Sequence, residues 1–146
     1  MIRSKKRIVY LNLELMEKIC HSLAIAIFNT YEDPIAEFKE HDTGRLDSTL
    51  QSLKQTFDGK ELYPTLEEKA AVLYYLLNKN HPFKNGNKRI ATASLLVFLY
   101  LNKKWIKISF NDLLQRTLQI AMSDPKDKSK IFKETVEWIK NNLENS

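Results

Sequence analysis

The sequence predicts an all-α fold, a compact bundle of helices packed around one central buried helix. Three observations carry this reading. The 146 residues include three glycines and four prolines, too few for a turn-rich β fold. Residues 91–101 are apolar at almost every position, and a helix that is apolar all round has to be buried among others. On both sides of it, apolar residues recur at helical spacing between residues suited to capping helix ends. A chain of this length is sized for one domain, residues 1–146, with its own core.

Taken in order, residues 8–11 read as a short strand or extended lead-in, and Asn12 as the N-cap of a first helix. In that helix Leu15, Met16, Ile19, Leu23, Ala26 and Ile27 form the core stripe, while His21 falls among Glu14, Glu17 and Lys18 on a solvated face. Residues 32–47 read as a polar loop with a partial turn at 35–38, and no partner is evident for His41. Asp47 is the expected N-cap of a short helix holding Leu46, Leu50, Leu53 and Phe57 on one face, closed by Asp58-Gly59. Residues 60–64 connect it in extended form to a well-marked helix. There Thr65 and Glu68 make a capping box, and Leu66, Ala70, Leu73 and Leu77 face inward.

That helix runs out at Asn80, before the restricted His81-Pro82 pair, and the central helix follows. Residues 105–109 alternate like a strand and can form one short two-stranded pairing with 8–11. Ser109 or Asn111 then starts a helix through Met122, with Leu114, Leu118 and Ala121 inward. Ser123-Asp124-Pro125 starts the last helix, whose stripe is Phe132, Val136, Ile139 and Leu143.

Composition narrows the function classes. The single cysteine, Cys20, excludes an internal disulfide and a Cys metal cluster, so a reducing cytoplasm is the expected compartment and packing the expected role of the thiol. No apolar run approaches the roughly 20 residues of a membrane span, and no signal-peptide pattern follows Arg3, Lys5, Lys6 and Arg7. The net charge of +5 suits nucleotides, an acidic protein partner or nucleic acid. Nucleic acid is the weakest of these, because no recognition helix or aromatic platform is evident.

The chemistry gathers at residues 81–89, His-Pro-Phe-Lys-Asn-Gly-Asn-Lys-Arg, where a polar loop opens the central helix. The first N–H groups of a helix lack intrahelical acceptors and favour an anion. Gly86 and Asn87 allow backbone N–H groups to close on phosphate oxygens, Arg89 offers a planar charged fork, and Lys88 adds a second positive charge. Histidine exchanges protons near neutral pH, which makes His81 a candidate general base. Phe83, the apolar residue in this polar loop, is the expected anchor in the core. Taken singly, each residue also has an ordinary structural role, as cap, turn or solvated first turn.

Together they form H-P-F-x-N-G-N-K-R, which resembles the Fic/Doc family signature H-x-F-x-(D/E/N)-(G/A)-N-x-R. The likeness extends from about Gly44-Arg45-Leu46 through Phe57, Tyr63-Pro64-Thr65-Leu66 and Glu68-Lys69-Ala70-Ala71 to Phe98-Leu99 and Asn102, and resembles most the death-on-curing (Doc) branch. It implies a Fic/Doc-type helical domain using ATP with Mg2+ to modify a hydroxyl of a protein target. Doc-like members transfer phosphate and act as toxins on a translation factor such as elongation factor Tu; Fic-type members transfer AMP. Carried over by position, His81 is the base, Phe83 the anchor, Asn85 the metal-proximal residue, Gly86 and Asn87 the anion cradle with Lys88 beside them, and Arg89 the phosphate clamp.

Lys88 stands where AMP-transferring members have glycine, and Thr92 where they have a second arginine, which favours phosphate transfer. Gly86 is the more Fic-like feature. Asn85 replaces the usual acid and keeps a catalytically impaired module as a further alternative. The inhibitory pattern (S/T)-x-x-x-E-(G/N) is absent from the sequence, so the expected control is a separate antitoxin.

Overall fold

A computed structural model of the chain describes residues 7–28 and 33–145; Arg3, Lys5, Lys6 and Glu32 lie outside the described residues. After Asn12, whose side chain accepts from the Leu15 N–H, α1 (Leu13–Leu15) passes through a π turn at Met16–His21 into α2 (Ser22–Phe28). A 3-10 turn at Phe38–Glu40 precedes α3 (Thr43–Gln51). The chain then forms a small hairpin, β1 (Thr56–Phe57) with β2 (Lys60–Glu61), before α4 (Leu66–Lys79) and α5 (Asn87–Leu101). Next come β3 (Lys104–Ile106), α6 (Phe110–Met122), α7 (Lys128–Asn142) and β4 (Leu143–Asn145).

The expected all-α core is present, and α4 and α5 lie at its centre. α5 packs on α4, α2, the π turn, α6 and β3, while α4 is covered further by α3 and α7. From Ile90 to Leu95 every residue of α5 is buried, as are Val97, Phe98 and Leu99; Lys88 at its start and Tyr100 near its end reach solvent. Polar residues enter this interior by turning their hydroxyls onto their own helix. Thr49, Thr92, Thr117 and Thr135 each donate to the carbonyl four residues earlier, so burial leaves no orphan hydroxyl.

The Thr65–Glu68 capping box forms as expected, each partner satisfying a free backbone N–H of the other. Lys69, one turn into α4, is only 1% exposed, and its ammonium donates to the Glu61 carboxylate at 3.1 Å and to the Tyr63 carbonyl. This ties the hairpin to the core helix.

Several expectations need correction. The π turn adds a residue to one turn of the first helix, so Met16, Cys20, His21 and Ala24 face inward, whereas Ile19 and Ile27 are exposed. Burial pushes the Cys20 thiol up to about 11, as expected of a packing residue. The N-cap of α3 is Asp42, not Asp47; its carboxylate accepts from the Arg45 N–H at 3.0 Å, with Gly44 already helical. Phe57 leaves the helix face for the hairpin and is 78% exposed.

In α6 the buried face is Leu113, Thr117 and Ile120, with Leu114 exposed, because the satisfied hydroxyl of Thr117 lets a polar residue take a core position. In α7 the deepest residues are Ile131, Thr135 and Ile139. The strand at 104–106 pairs with 143–145 rather than with 8–11. Residues near Val9 are held instead by Asn102, whose side chain accepts from the Val9 N–H at 2.8 Å and donates to its carbonyl at 3.0 Å.

These corrections are measurable. Phe57→Ala is expected to change unfolding free energy by less than about 0.5 kcal/mol, while Leu46→Ala, which empties a fully buried site, costs about 2–5 kcal/mol in the same denaturant titration.

Candidate active site

Residues 80–89 are held at both ends. On one side, Asn80 donates its side-chain N–H to Thr49 Oγ1 at 2.9 Å, and the Pro82 carbonyl accepts from the Asp42 N–H at 2.7 Å, so His81 is pinned between two tethers to α3 and its N-cap. Its φ is +47°, a left-handed conformation unusual for a residue with a side chain, and the side chain is exposed. The strained backbone is maintained by the flanking tethers and turns the imidazole outward.

On the other side, Phe83 is buried as expected, and the Asn87 side chain closes the loop around it. The Asn87 amide oxygen accepts from the Phe83 N–H at 2.9 Å, and its N–H donates to the Phe83 carbonyl at 3.0 Å. Gly86 sits between them with φ +72°, and a Cβ there would come within 2.9 Å of Ile35 Cγ1. Glycine is thus required twice, for the turn and for close packing. The loop delivers α5 with its first intrahelical bond at Ile90 N–H to the Gly86 carbonyl, so the preceding N–H groups head the helix without intrahelical partners.

Under the loop, the rings of Phe83, Phe38, His21 and His41 pack together. His21, expected on a solvated face, is 5% exposed, and its Nε2 bonds the Ala36 carbonyl at 2.8 Å. His41, for which the sequence offered no partner, shares a hydrogen bond with Thr43 Oγ1 at 3.1 Å.

Residues 33–36 cross the loop as a strap. Asn85 holds it by accepting from the Ala36 N–H at 2.7 Å and donating to the Pro34 carbonyl at 2.7 Å and to Asp33 Oδ1 at 3.2 Å. Arg89 reaches the same strap, donating to the Asp33 carbonyl at 2.6 Å and pairing with its carboxylate at 3.0 Å. Sequence reasoning missed the strap because its polar residues have no periodicity, and missed His21 because a π turn leaves no pattern signal.

Lys88 and Arg89 line an apolar pocket together with Phe28, Thr92, Phe110, Leu113, Leu114 and Thr117. Two of its lining rings, Phe28 and Phe110, stack with centroids 5.7 Å apart. Beneath it, the hydroxyls of Thr92 and Thr117 meet at 3.0 Å and Tyr74 joins Thr117. Burial raises the Tyr74 phenol to about 12, so it stays protonated as a hydrogen-bonding group.

The Fic/DOC family model matches residues 8–99, and the chain belongs to the Fic/Doc family. Toxin Doc of Mycolicibacterium smegmatis (strain ATCC 700084 / mc(2)155) is 37% identical to it over 75 residues, which is 51% of this chain and 58% of that protein. The matched stretch thus covers little more than half of the relative.

The loop geometry predicts that Gly86→Ala destabilises the fold by more than about 1 kcal/mol, since alanine has to adopt positive φ. Adding Ile35→Ala should recover the part due to the close contact, so that a double-mutant cycle by thermal unfolding shows favourable coupling. Asn87→Ala, which removes both bonds to Phe83, should cost about 1–3 kcal/mol.

Proposed function

We propose that the chain is a Doc-like toxin that transfers phosphate from ATP to a hydroxyl of a protein target, with a translation factor such as elongation factor Tu as the expected class of target. The observation that carries this reading is the loop closed by Asn87, which holds His81 at one shoulder and Arg89 at the other. In the reaction, the neutral His81 imidazole takes the proton from the target hydroxyl as its oxygen attacks the γ-phosphorus. The bond from that phosphorus to the bridging oxygen breaks, and ADP leaves. Arg89, Lys88 and the N–H groups at the head of α5 offset the charge on the transferring group.

Asn85 can contribute its amide oxygen to Mg2+, since its bond from the Ala36 N–H uses one of two lone pairs. Mg2+ would supply charge neutralisation on the phosphates. The donor set suits a cation arriving with its nucleotide, because no group of three His, Cys, Asp or Glu side chains forms a metal cage among the described residues.

Thr92 supports phosphate over AMP transfer. It is buried and engaged with Lys88 and Thr117, and it brings no second cation to the anion site. Cys20 is buried and unpaired by a disulfide, which suits action in a reducing cytoplasm, and no helix among the described residues is long and apolar enough to cross a membrane. Control by a separate antitoxin with an acidic segment fits the net charge of +5.

Incubating the protein with bacterial lysate and ATP labelled at either the γ or the α position tests this. Label on a protein from γ alone, lost in His81→Ala, is the expected result. Label from α would replace phosphate transfer by AMP transfer, and absence of any His81-dependent label would leave the fold without either activity.

A further inference from the structure

We propose that the far end of α5 carries a second site, a basic groove with an exposed aromatic pair that takes single-stranded nucleic acid. The 15 residues of α5, roughly 20 Å of helix, separate it from the motif loop, and it stands independently of the phosphate site at residues 85–89. The groove forms where Asn102 clasps the chain at Val9. Arg7, Lys103 and Lys104 line it among Ile8, Leu66 and Leu101.

The two segments that meet there are free of acidic side chains. Residues 1–11 carry four basic side chains and residues 98–111 carry three, with no Asp or Glu in either, so the field at this end attracts a polyanion. Glu144, opposite Trp105 in the β3–β4 ladder, brings one negative charge to that strand face, and the exposed Lys107 offsets it. Glu67, the neighbour of Leu66, lines a separate hollow against α7.

Lys103 marks the site in a second way. It follows the C-cap Asn102 with φ +62°, the left-handed position at which helices commonly end on glycine or asparagine. A lysine there strains the backbone, and because its side chain is exposed, burial does not offset the strain. What the residue adds is a cation at the tip of the turn.

The same turn presents aromatic rings. Tyr100 and Trp105, on either side of it, are 62% and 42% exposed and meet edge to face with centroids 6.5 Å apart. Exposed rings beside cations match a single strand, whose bases stack on aromatic faces while its phosphates meet Lys and Arg. An acidic peptide would engage the cations and leave the rings without a partner, and a duplex keeps its bases stacked inside. The pair is hidden in the sequence because Tyr100 belongs to the apolar run of α5 and Trp105 to a strand; the turn at 102–103 brings them together.

The test uses the full chain and a fluorescein-labelled RNA of about twelve nucleotides, with fluorescence anisotropy read over a range of NaCl concentrations. The wild type should bind this strand and a DNA of the same sequence, each more tightly than the corresponding duplex, with affinity falling as salt rises. Lys103→Gly should weaken binding by at least about threefold and reduce the salt slope by about 0.7. Its thermal midpoint should hold or rise, because glycine relieves the left-handed position. Tyr100→Ala should weaken binding at least about fivefold with the salt slope unchanged. A wild type that binds neither strand at low salt overturns the proposal, as does binding that both variants leave unchanged. A duplex held as tightly as the single strands also overturns it, reducing the groove to a charged surface. Capture of phosphatidylserine vesicles without any oligonucleotide binding would assign this end to a membrane surface instead.

Discussion

The Asn87 side chain spans the main chain of Phe83, accepting from its N–H and donating to its carbonyl. This one amide reconciles two opposed demands on a short polar loop. Phe83 has to enter the core, which stabilises the loop through burial of a large aromatic side chain, yet its own backbone groups then need partners that water cannot supply. Asn87 provides both, and as the first residue of α5 it fixes the loop to the helix that follows. This closure joins the loop to the head of α5, between the tethers that flank His81 and the bonds by which Asn85 and Arg89 reach the strap.

The helix behind the loop imposes the complementary constraint. α5 is buried nearly all round, so every polar group on it has to be satisfied inside the protein. Thr92 does this by bonding both the Lys88 carbonyl and Thr117, and Ser94 lies against Met16 in the π turn. Thr92 also lines the apolar pocket beside Lys88 and Arg89, so its satisfied hydroxyl keeps that wall uncharged. The loop faces solvent and the helix faces the core, and the N–H groups without intrahelical partners lie at the boundary.

Much of the fold was legible because its signals are local. The Thr65–Glu68 capping box, the apolar run of α5 and the motif string each state their structure within a few residues. Helix faces were less legible where polar residues occupy core positions, as Thr117 and Thr135 do, because periodicity arguments count hydroxyls as exposed. The π turn defeated the pattern for a different reason, by shifting register within one helix and drawing His21 inward. Of the candidate site, the motif residues could be named from the string, but Asp33 could not. It lies about fifty residues away in sequence, and only the folded strap brings it to Asn85 and Arg89.

Lys69 has a consequence for motion. Its ammonium is shut inside the protein with Glu61 and the Tyr63 carbonyl as partners, one from β2 and one from the chain leading to α4. Peeling the hairpin away would strip those partners from a cation that has little access to water, a far costlier event than fraying an exposed turn. The small hairpin, despite two-residue strands and an exposed phenylalanine, therefore belongs to the same cooperative unit as α4, and its amides should exchange with solvent only as that helix opens.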